Sequence, residues 1–264
     1  MTCKRPHSPV GVVLLIIGVV CLLLIGVEAG EVLRYRSALQ TSERTFRRME
    51  SRVSEPSASG GEGKACRLPG KNGGPGRDYR ELIRSRNGAD LAGWIRVPGT
   101  GISYPVMYVK GNNTKYLHRD FYGKASPEGV PFLEGRSDPC RTGNLMIYGH
   151  HMRSGAVFGR LEEYFGSRAG RRRHPALWFD RIHRDGSSTR EYYRVCCSFF
   201  ADTRKQPCYL DYSGIYTRSG MKRYLRLVGA GKMPASSRTL TLSTCAYHIP
   251  RPYGRFAVVF VRKE

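Results

Sequence analysis

The longest unbroken hydrophobic feature is residues 10–27, apolar or glycine throughout. Eighteen residues at a helical rise of about 1.5 Å each cover roughly 27 Å, close to the hydrocarbon thickness of a bilayer. The stretch predicts a membrane-spanning helix that is longer than most signal-peptide cores. Residues 28–53 change character: Val32, Leu33, Tyr35, Leu39, Phe46, Met49 and Val53 lie scattered among arginines, several at helical spacing, which predicts a juxtamembrane helix. Residues 54–61 and 69–76 are rich in Gly, Pro and Ser and read as a flexible linker. The expected plan is a tail over 1–9, an anchor over 10–27, a juxtamembrane segment and linker over 28–77, and a folded domain over 78–264.

Within that domain the hydrophobic period is mostly two. Strands are predicted over 93–97 and 102–108, joined by the turn Pro98-Gly99-Thr100-Gly101, and over 145–148, 176–179, 190–200, 239–243 and 256–261. Helical spacing appears only over 79–83, 157–165 and 221–228. Many short strands with few helices between them predict a mainly β domain, a closed or nearly closed barrel rather than an alternating parallel sheet.

Charge adds a constraint on partners. Forty-four Lys and Arg against 21 Asp and Glu leave a net charge of +23. Such a field draws polyanions, including anionic headgroups and phosphate-rich wall polymers, although a solvated arginine-rich surface is the plainer reading. The dense run Arg171-Arg172-Arg173 lacks interleaved aromatics, and no nucleic-acid-binding motif accompanies the charge, so nucleic acid is not an expected partner. Lys4 and Arg5 ahead of the span favour a cytoplasmic N-terminus; Arg34, Arg36 and Arg44 beyond it weaken that vote. Val27-Glu28-Ala29 resembles a cleavage site, so a removed signal peptide is the competing reading.

Of eight cysteines, Cys3 and Cys21 lie before or within the span. Setting Cys245 aside as a free thiol leaves Cys66, Cys140, Cys196, Cys197 and Cys208, an odd number that cannot pair completely. Cys196 and Cys197 are neighbours in a strand pattern and are expected on opposite faces. No disulfide framework is indicated. There is no C-x-x-C or H-x-x-x-H spacing, and Glu134, Asp138 and Asp180 follow no calcium-loop pattern, so no metal or cofactor is expected.

Three residues carry candidate chemistry. Cys245 stands at the exit of one apolar run, Arg255 at the start of the next, and His150 at the end of Leu145-Met146-Ile147-Tyr148-Gly149. A cysteine acts through its thiolate, a histidine can exchange its proton, and an arginine fork can hold an oxyanion. On spacing alone, a buried structural cysteine and two surface basic residues fit equally well.

The run Thr241-Leu242-Ser243-Thr244-Cys245 with Arg255 and the upstream Tyr148-Gly149-His150 resembles the sortases, membrane-anchored cysteine transpeptidases of Gram-positive bacteria. Gly93-Trp94-Ile95, the stretches 116–121 and 129–134, Ile147-Tyr148-Gly149-His150-His151-Met152 and the helical segment 221–228 resemble class B. The resemblance covers residues 78 to 263. It implies an eight-stranded sortase barrel with N-terminal helices and a helix before the cysteine strand. It also implies that Cys245 attacks the threonine carbonyl of a C-terminal sorting signal, that His150 rather than its neighbour His151 moves the proton, and that Arg255 holds substrate and oxyanion. Ser243 and Thr244 are candidate pocket residues, each equally suited to a plain strand role; His248 is expected to be a loop residue. The implied partners are sorting-signal-bearing surface proteins and an amine of a peptidoglycan precursor or pilin, with the catalytic domain outside the membrane. Ala246 stands where class B relatives carry a polar or acidic residue, which bears on substrate preference. The rival functions are a secreted cysteine peptidase using the same site and a non-catalytic wall-binding module.

Overall fold

The computed structural model describes residues 9–53, 74–205, 207–212, 215–247, 249 and 252–262; the tail before residue 9, most of the linker (54–73) and His248 lie outside the described residues. The chain divides into two compact units, Met1–Thr41 and Ser42–Glu264. Helix α1 (Pro9–Ser51) begins in the first. There Leu14, Leu15, Leu22, Leu23 and Ile25 are all exposed. This helix is long and apolar enough to cross a membrane, with a mean hydropathy of 2.7 over its most apolar window, as a membrane anchor or a signal sequence would be.

In the second unit the chain forms strands β1 (Gly74–Pro75), β2 (Leu91–Arg96), β3 (Ser103–Met107), β4 (Phe132–Leu133), β5 (Asn144–Tyr148), β6 (Ala176–Ile182), β7 (Ser188–Asp202), β8 (Thr239–Cys245) and β9 (Gly254–Arg262). Their order is β1-β7-β6-β2-β3-β4-β5-β8-β9, and β7 also pairs with β9. That last pairing closes an eight-stranded barrel and leaves β1 as an appendage on β7. Closure depends on β7, whose 15 residues pair with β6 over Ser188–Arg194 and with β9 over Tyr193–Asp202. A bulge between Val195 and Cys197 sits where the strand changes partners. An extra residue there bends the strand and increases its twist, which lets one strand serve two sides of the barrel.

The same bulge corrects the cysteine expectation. Cys196 and Cys197 do not point to opposite faces; both pack against one cluster with Tyr224, Leu225 and Val228. Cys197 Sγ donates to Val228 O at 3.2 Å. All cysteines among the described residues are free thiols.

Alternation decides what lies on each face of the closing strands. Phe256, Val258 and Phe260 of β9 stand opposite Thr244, Leu242 and Leu240 of β8 on one face. The other face carries Ala257 and Val259 with Thr239, Thr241 and Ser243. Helix α5 (Arg218–Leu227) covers that second face with Met221, Tyr224 and Leu225, followed by Val228. Thr217 caps it, accepting a hydrogen bond from Gly220 N at 3.1 Å. Three differences from the sequence expectation have local causes. The helix expected over 157–165 is confined to α3 (Leu161–Phe165), because Val157 sits at φ 55°, outside helical space. Helix α4 (Arg168–Arg173), capped by Ser167, is built from the arginine run that carries no apolar period. Packing also begins at Ser42, ahead of Asp78: Phe46, Met49 and Val53 recur at i, i+3 and i+7 and bury against Tyr79, Leu82 of helix α2 (Arg80–Ile83) and Trp94.

This packing places one unusual acid. Glu128 is 1% exposed, and neither carboxylate oxygen has a hydrogen-bond partner among the described residues. The neighbouring Ser42 hydroxyl is engaged with Ser126 Oγ at 3.1 Å. Burial first, and then the charge of Glu43, push the Glu128 carboxyl up to about 7. The folded state therefore holds this proton more tightly than the unfolded chain does, and stability from this group is lost as pH rises between about 4.5 and about 7. Glu128→Gln, which cannot ionise, is expected to remove that loss, on the order of 3 kcal/mol at pH 8. Thermal unfolding of the detergent-solubilised full chain at pH 5 and pH 8 measures it. An equal pH dependence in the two proteins would contradict the assignment.

Candidate active site

Two ladders of opposite sense build the site. Strands β5 and β8 run parallel, in register from Asn144↔Thr239 to Tyr148↔Ser243. Parallel strands finish at the same rim, so the residues after Tyr148 and those after Ser243 leave the sheet side by side. Strands β8 and β9 are antiparallel, and Cys245 stands directly opposite Arg255. Side chains at such a cross-strand position share a face with Cβ atoms about 5 Å apart. His150, Cys245 and Arg255 consequently meet at one cavity of about 280 Å³. Ser243 and Thr244 line it as well. All five residues singled out in the sequence thus line one cavity.

Local sequence fixes the strand ends. Gly149 N donates to Ser243 O at 3.1 Å, and Thr244 Oγ1 donates back to Gly149 O at 2.8 Å. A side chain at Gly149 would lie 2.5 Å from the buried Phe158 ring, so the approach requires glycine. Below the rim, buried Asn144 Oδ1 accepts from Thr239 Oγ1 at 2.9 Å and from Thr241 Oγ1 at 2.8 Å, tying β5 to β8 through side chains too. Thr241 in turn lies 2.6 Å from Tyr224 OH on α5, and Ser243 Oγ 2.6 Å from Tyr209 OH. The hydroxyls of Ser243 and Thr244 are therefore both engaged by the protein itself.

His150 is half-buried. Its Nε2 contacts Leu117 O at 2.7 Å. A carbonyl can only accept, so Nε2 carries the hydrogen and Nδ1 is the nitrogen left to exchange a proton. Burial, followed by the neighbouring His118, holds the His150 imidazole below the ordinary histidine range despite the opposing Leu117 contact. The His118 ring stacks on it at 5.2 Å. Arg255 spends Nη1 on Pro252 O (2.5 Å) and Gly254 O (2.9 Å), which orients the guanidinium. Its Nε and Nη2 make no hydrogen bond among the described residues, and Arg255 lines the cavity, so these nitrogens of the fork are uncommitted. Cys208 lies buried nearby, and burial pushes its thiol up, which suits packing rather than attack.

His151 does not line the cavity. Its Nδ1 contacts the backbone oxygen of Cys245 at 2.8 Å, and its ring packs 4.6 Å from that of Tyr247. The rest of the wall comes from Asn113, Leu117, Phe132, Tyr148, Gly149 and Leu210, none of which sequence reasoning assigned to the site. Leu117, Phe132, Tyr148 and Gly149 fall in stretches that carry the family resemblance, the one signal that pointed their way. Asn113 is held by Glu134, accepting its Nδ2–H at 3.0 Å, and by Gly135 N at 2.6 Å. Glu134 also takes Arg136, which together with Asn113 keeps its carboxyl below the usual range against the effect of burial. Asp180 is taken up by Arg190 and Tyr79 inside the sheet.

The family model "Sortase domain" matches residues 95–262. Sortase B of Staphylococcus aureus is 36% identical over 76 residues, 28% of this chain and 31% of that protein. Sortase B of Listeria monocytogenes is 24% identical over 188 residues, 69% of this chain and 71% of that protein. The fold is shared with a Staphylococcus aureus sortase B solved as a substrate complex, with a TM-score of 0.59 and 23% identity over 70% of this chain and 84% of that one. A domain model that spans well over half of the chain settles its kinship: this chain belongs to the sortase family, and the relatives it resembles are sortase B proteins.

Proposed function

We propose that the protein is a membrane-anchored transpeptidase that cleaves a C-terminal sorting signal after its threonine and passes the new carboxyl end to an amine. The observation that carries this reading is the convergence of Cys245, His150 and Arg255 on one cavity of a sortase-family barrel. In the proposed cycle the Cys245 thiol gives its proton to His150 Nδ1, and the thiolate attacks the threonine carbonyl carbon. The C=O electron pair moves onto oxygen, where the free Nε–H and Nη2–H donors of Arg255 receive it. As the tetrahedral intermediate collapses, the C–N bond breaks and His150 returns its proton to the departing amine, leaving a thioester on Cys245. An incoming amine attacks that thioester, loses a proton to His150, and releases the Cys245 sulfur.

The surroundings support an external site. The apolar part of α1 is suited to anchoring, with Lys4 and Arg5 on the cytoplasmic side, and the domain then meets both an exported protein and a lipid-linked acceptor at the outer face. The acceptor is a peptidoglycan-precursor or pilin amine, and the substrates are surface proteins bearing the signal. A Staphylococcus aureus sortase B of the same fold, solved as a substrate complex, is in keeping with substrate binding by this barrel.

The test incubates the full-length protein with a library of threonine-containing peptides, with and without triglycine as amine. The expected outcome is a triglycine-linked product with wild type and none with Cys245→Ala. A hydrolysis product that triglycine leaves unchanged would make the protein a peptidase, and processing by Cys245→Ala would remove catalysis by this thiol altogether.

A pH prediction follows from the stacked histidines. His118, when charged, opposes charging of His150, so His118→Gln is expected to raise the His150 pKa. The limb of the kcat/KM profile that reports His150 then moves to higher pH. An unmoved limb, or one displaced to lower pH, would show that His118 does not tune it.

A further inference from the structure

The two rim segments that carry His150 and Cys245 are joined beyond the sheet by a reciprocal pair of side-chain contacts. His151 Nδ1 lies 2.8 Å from Cys245 O, and Tyr247 OH lies 2.6 Å from His151 O. Because a carbonyl oxygen only accepts, His151 Nδ1 carries a hydrogen and Tyr247 donates its own. One bond runs from the β5 extension to β8, and the other runs back. The two rings close over them at 4.6 Å. The β5 extension is also pinned from behind: Phe158 N donates to His150 O at 3.1 Å, and His151 bridges to Val157. Val157 pays for that turn with a φ of 55°, unusual for a β-branched residue.

We propose that His151 and Tyr247 are positioning residues, a clasp that fixes the backbone of the nucleophile Cys245 against that of its proton partner His150. The inference rests on the reading of Cys245 and His150 as the reacting pair. Its physical content is distance control. The β5–β8 ladder ends at Tyr148↔Ser243, so it stops short of both His150 and Cys245, and the β8–β9 ladder that holds Cys245 opposite Arg255 does not reach His150. The clasp takes over where the ladder ends. His151 keeps its Nδ1 hydrogen whether neutral or charged, so the bond to Cys245 O survives across the working pH range. Proton transfer stays with His150, which lines the cavity, whereas His151 stands outside it.

The experiment compares full-length wild type, His151→Ala, His151→Asn, Tyr247→Phe and His150→Ala in two assays. The first maps alkylation of Cys245 by iodoacetamide against pH, by mass spectrometry of the Cys245 peptide, and needs no substrate. His150→Ala is expected to lose the part of that profile that reports the imidazole, and His151→Ala to shift toward the same shape. His151→Asn, whose amide N–H can take the place of Nδ1–H, is expected to keep the wild-type shape. Tyr247→Phe loses one hydroxyl at a half-exposed ring and is expected to fall between. The second assay is peptide turnover, where the clasp variants are expected to lose about 10- to 100-fold in kcat with KM little changed, as misplacement of reacting groups produces. A wild-type profile in His151→Ala overturns the proposal. So does an His151→Asn variant as impaired as His151→Ala, since the donor would then not be what matters. Altered alkylation profiles with no turnover by wild type would sustain the clasp while removing the transpeptidase reading.

Discussion

The site depends on strand direction. Most neighbours in this barrel are antiparallel, yet β5 and β8 are parallel. With a parallel ladder, two segments far apart in sequence end at the same rim. That is what carries His150 and Cys245 to one edge from 95 positions apart. The antiparallel β8–β9 ladder then delivers Arg255 opposite Cys245. A one-residue slip in either ladder would turn the reactive side chain to the other face. The buried Asn144–Thr239–Thr241 hydrogen bonds, Tyr224 and Tyr209 fasten the polar face of β8 and so hold the register. Stability and catalysis share these residues: the hydroxyls of Thr241, Ser243 and Thr244 keep the strand in place so that the next residue can react.

Electrostatics at the rim follow from partial burial. The imidazole of His150 loses hydration and faces a second histidine, and both effects favour its neutral form. The permanent positive charge comes instead from Arg255, whose Nη1 is bound to loop carbonyls while the rest of the fork stays uncommitted. Division of labour between a tunable base and a fixed cation suits a reaction that needs proton exchange at one atom and oxyanion stabilisation at another. Outside the site, several buried charges are paired across strands, with Asp180 bound by Arg190 and Glu191 by Arg181 and Arg262. Glu128 is the buried acid whose oxygens lack such partners among the described residues.

Much of this was legible in the residues, and the remainder has identifiable reasons. The strands expected over 239–243 and 256–261 appear in the structure as Thr239–Cys245 and Gly254–Arg262, the first longer only at its C-terminal end and the second at both ends. β4 escaped because Phe132–Leu133 is too short to show a period, and α4 because its arginines have none. Cys196 and Cys197 defied alternation because a bulge is a property of the pairing, invisible in one strand alone. The convergence of Cys245, Arg255 and His150 was readable only through the family resemblance, since spacing does not reveal strand direction. Asn113 reaches the cavity from a loop and Leu210 from a single 3-10 turn (Tyr209–Tyr212), neither long enough to show a period. His151 looked like a rival for His150; contact geometry separates them by giving one the cavity and the other the Cys245 carbonyl.

The central claim is that Cys245 carries the substrate as a thioester. Its most direct test is intact mass and peptide mapping of the full-length protein, acid-quenched after mixing with a cleaved peptide in the absence of amine. The account predicts an adduct equal to the peptide portion ending at threonine, located on Cys245 and released by neutral hydroxylamine. Turnover without any adduct, or an adduct located on Cys196, Cys197 or Cys208, would contradict it.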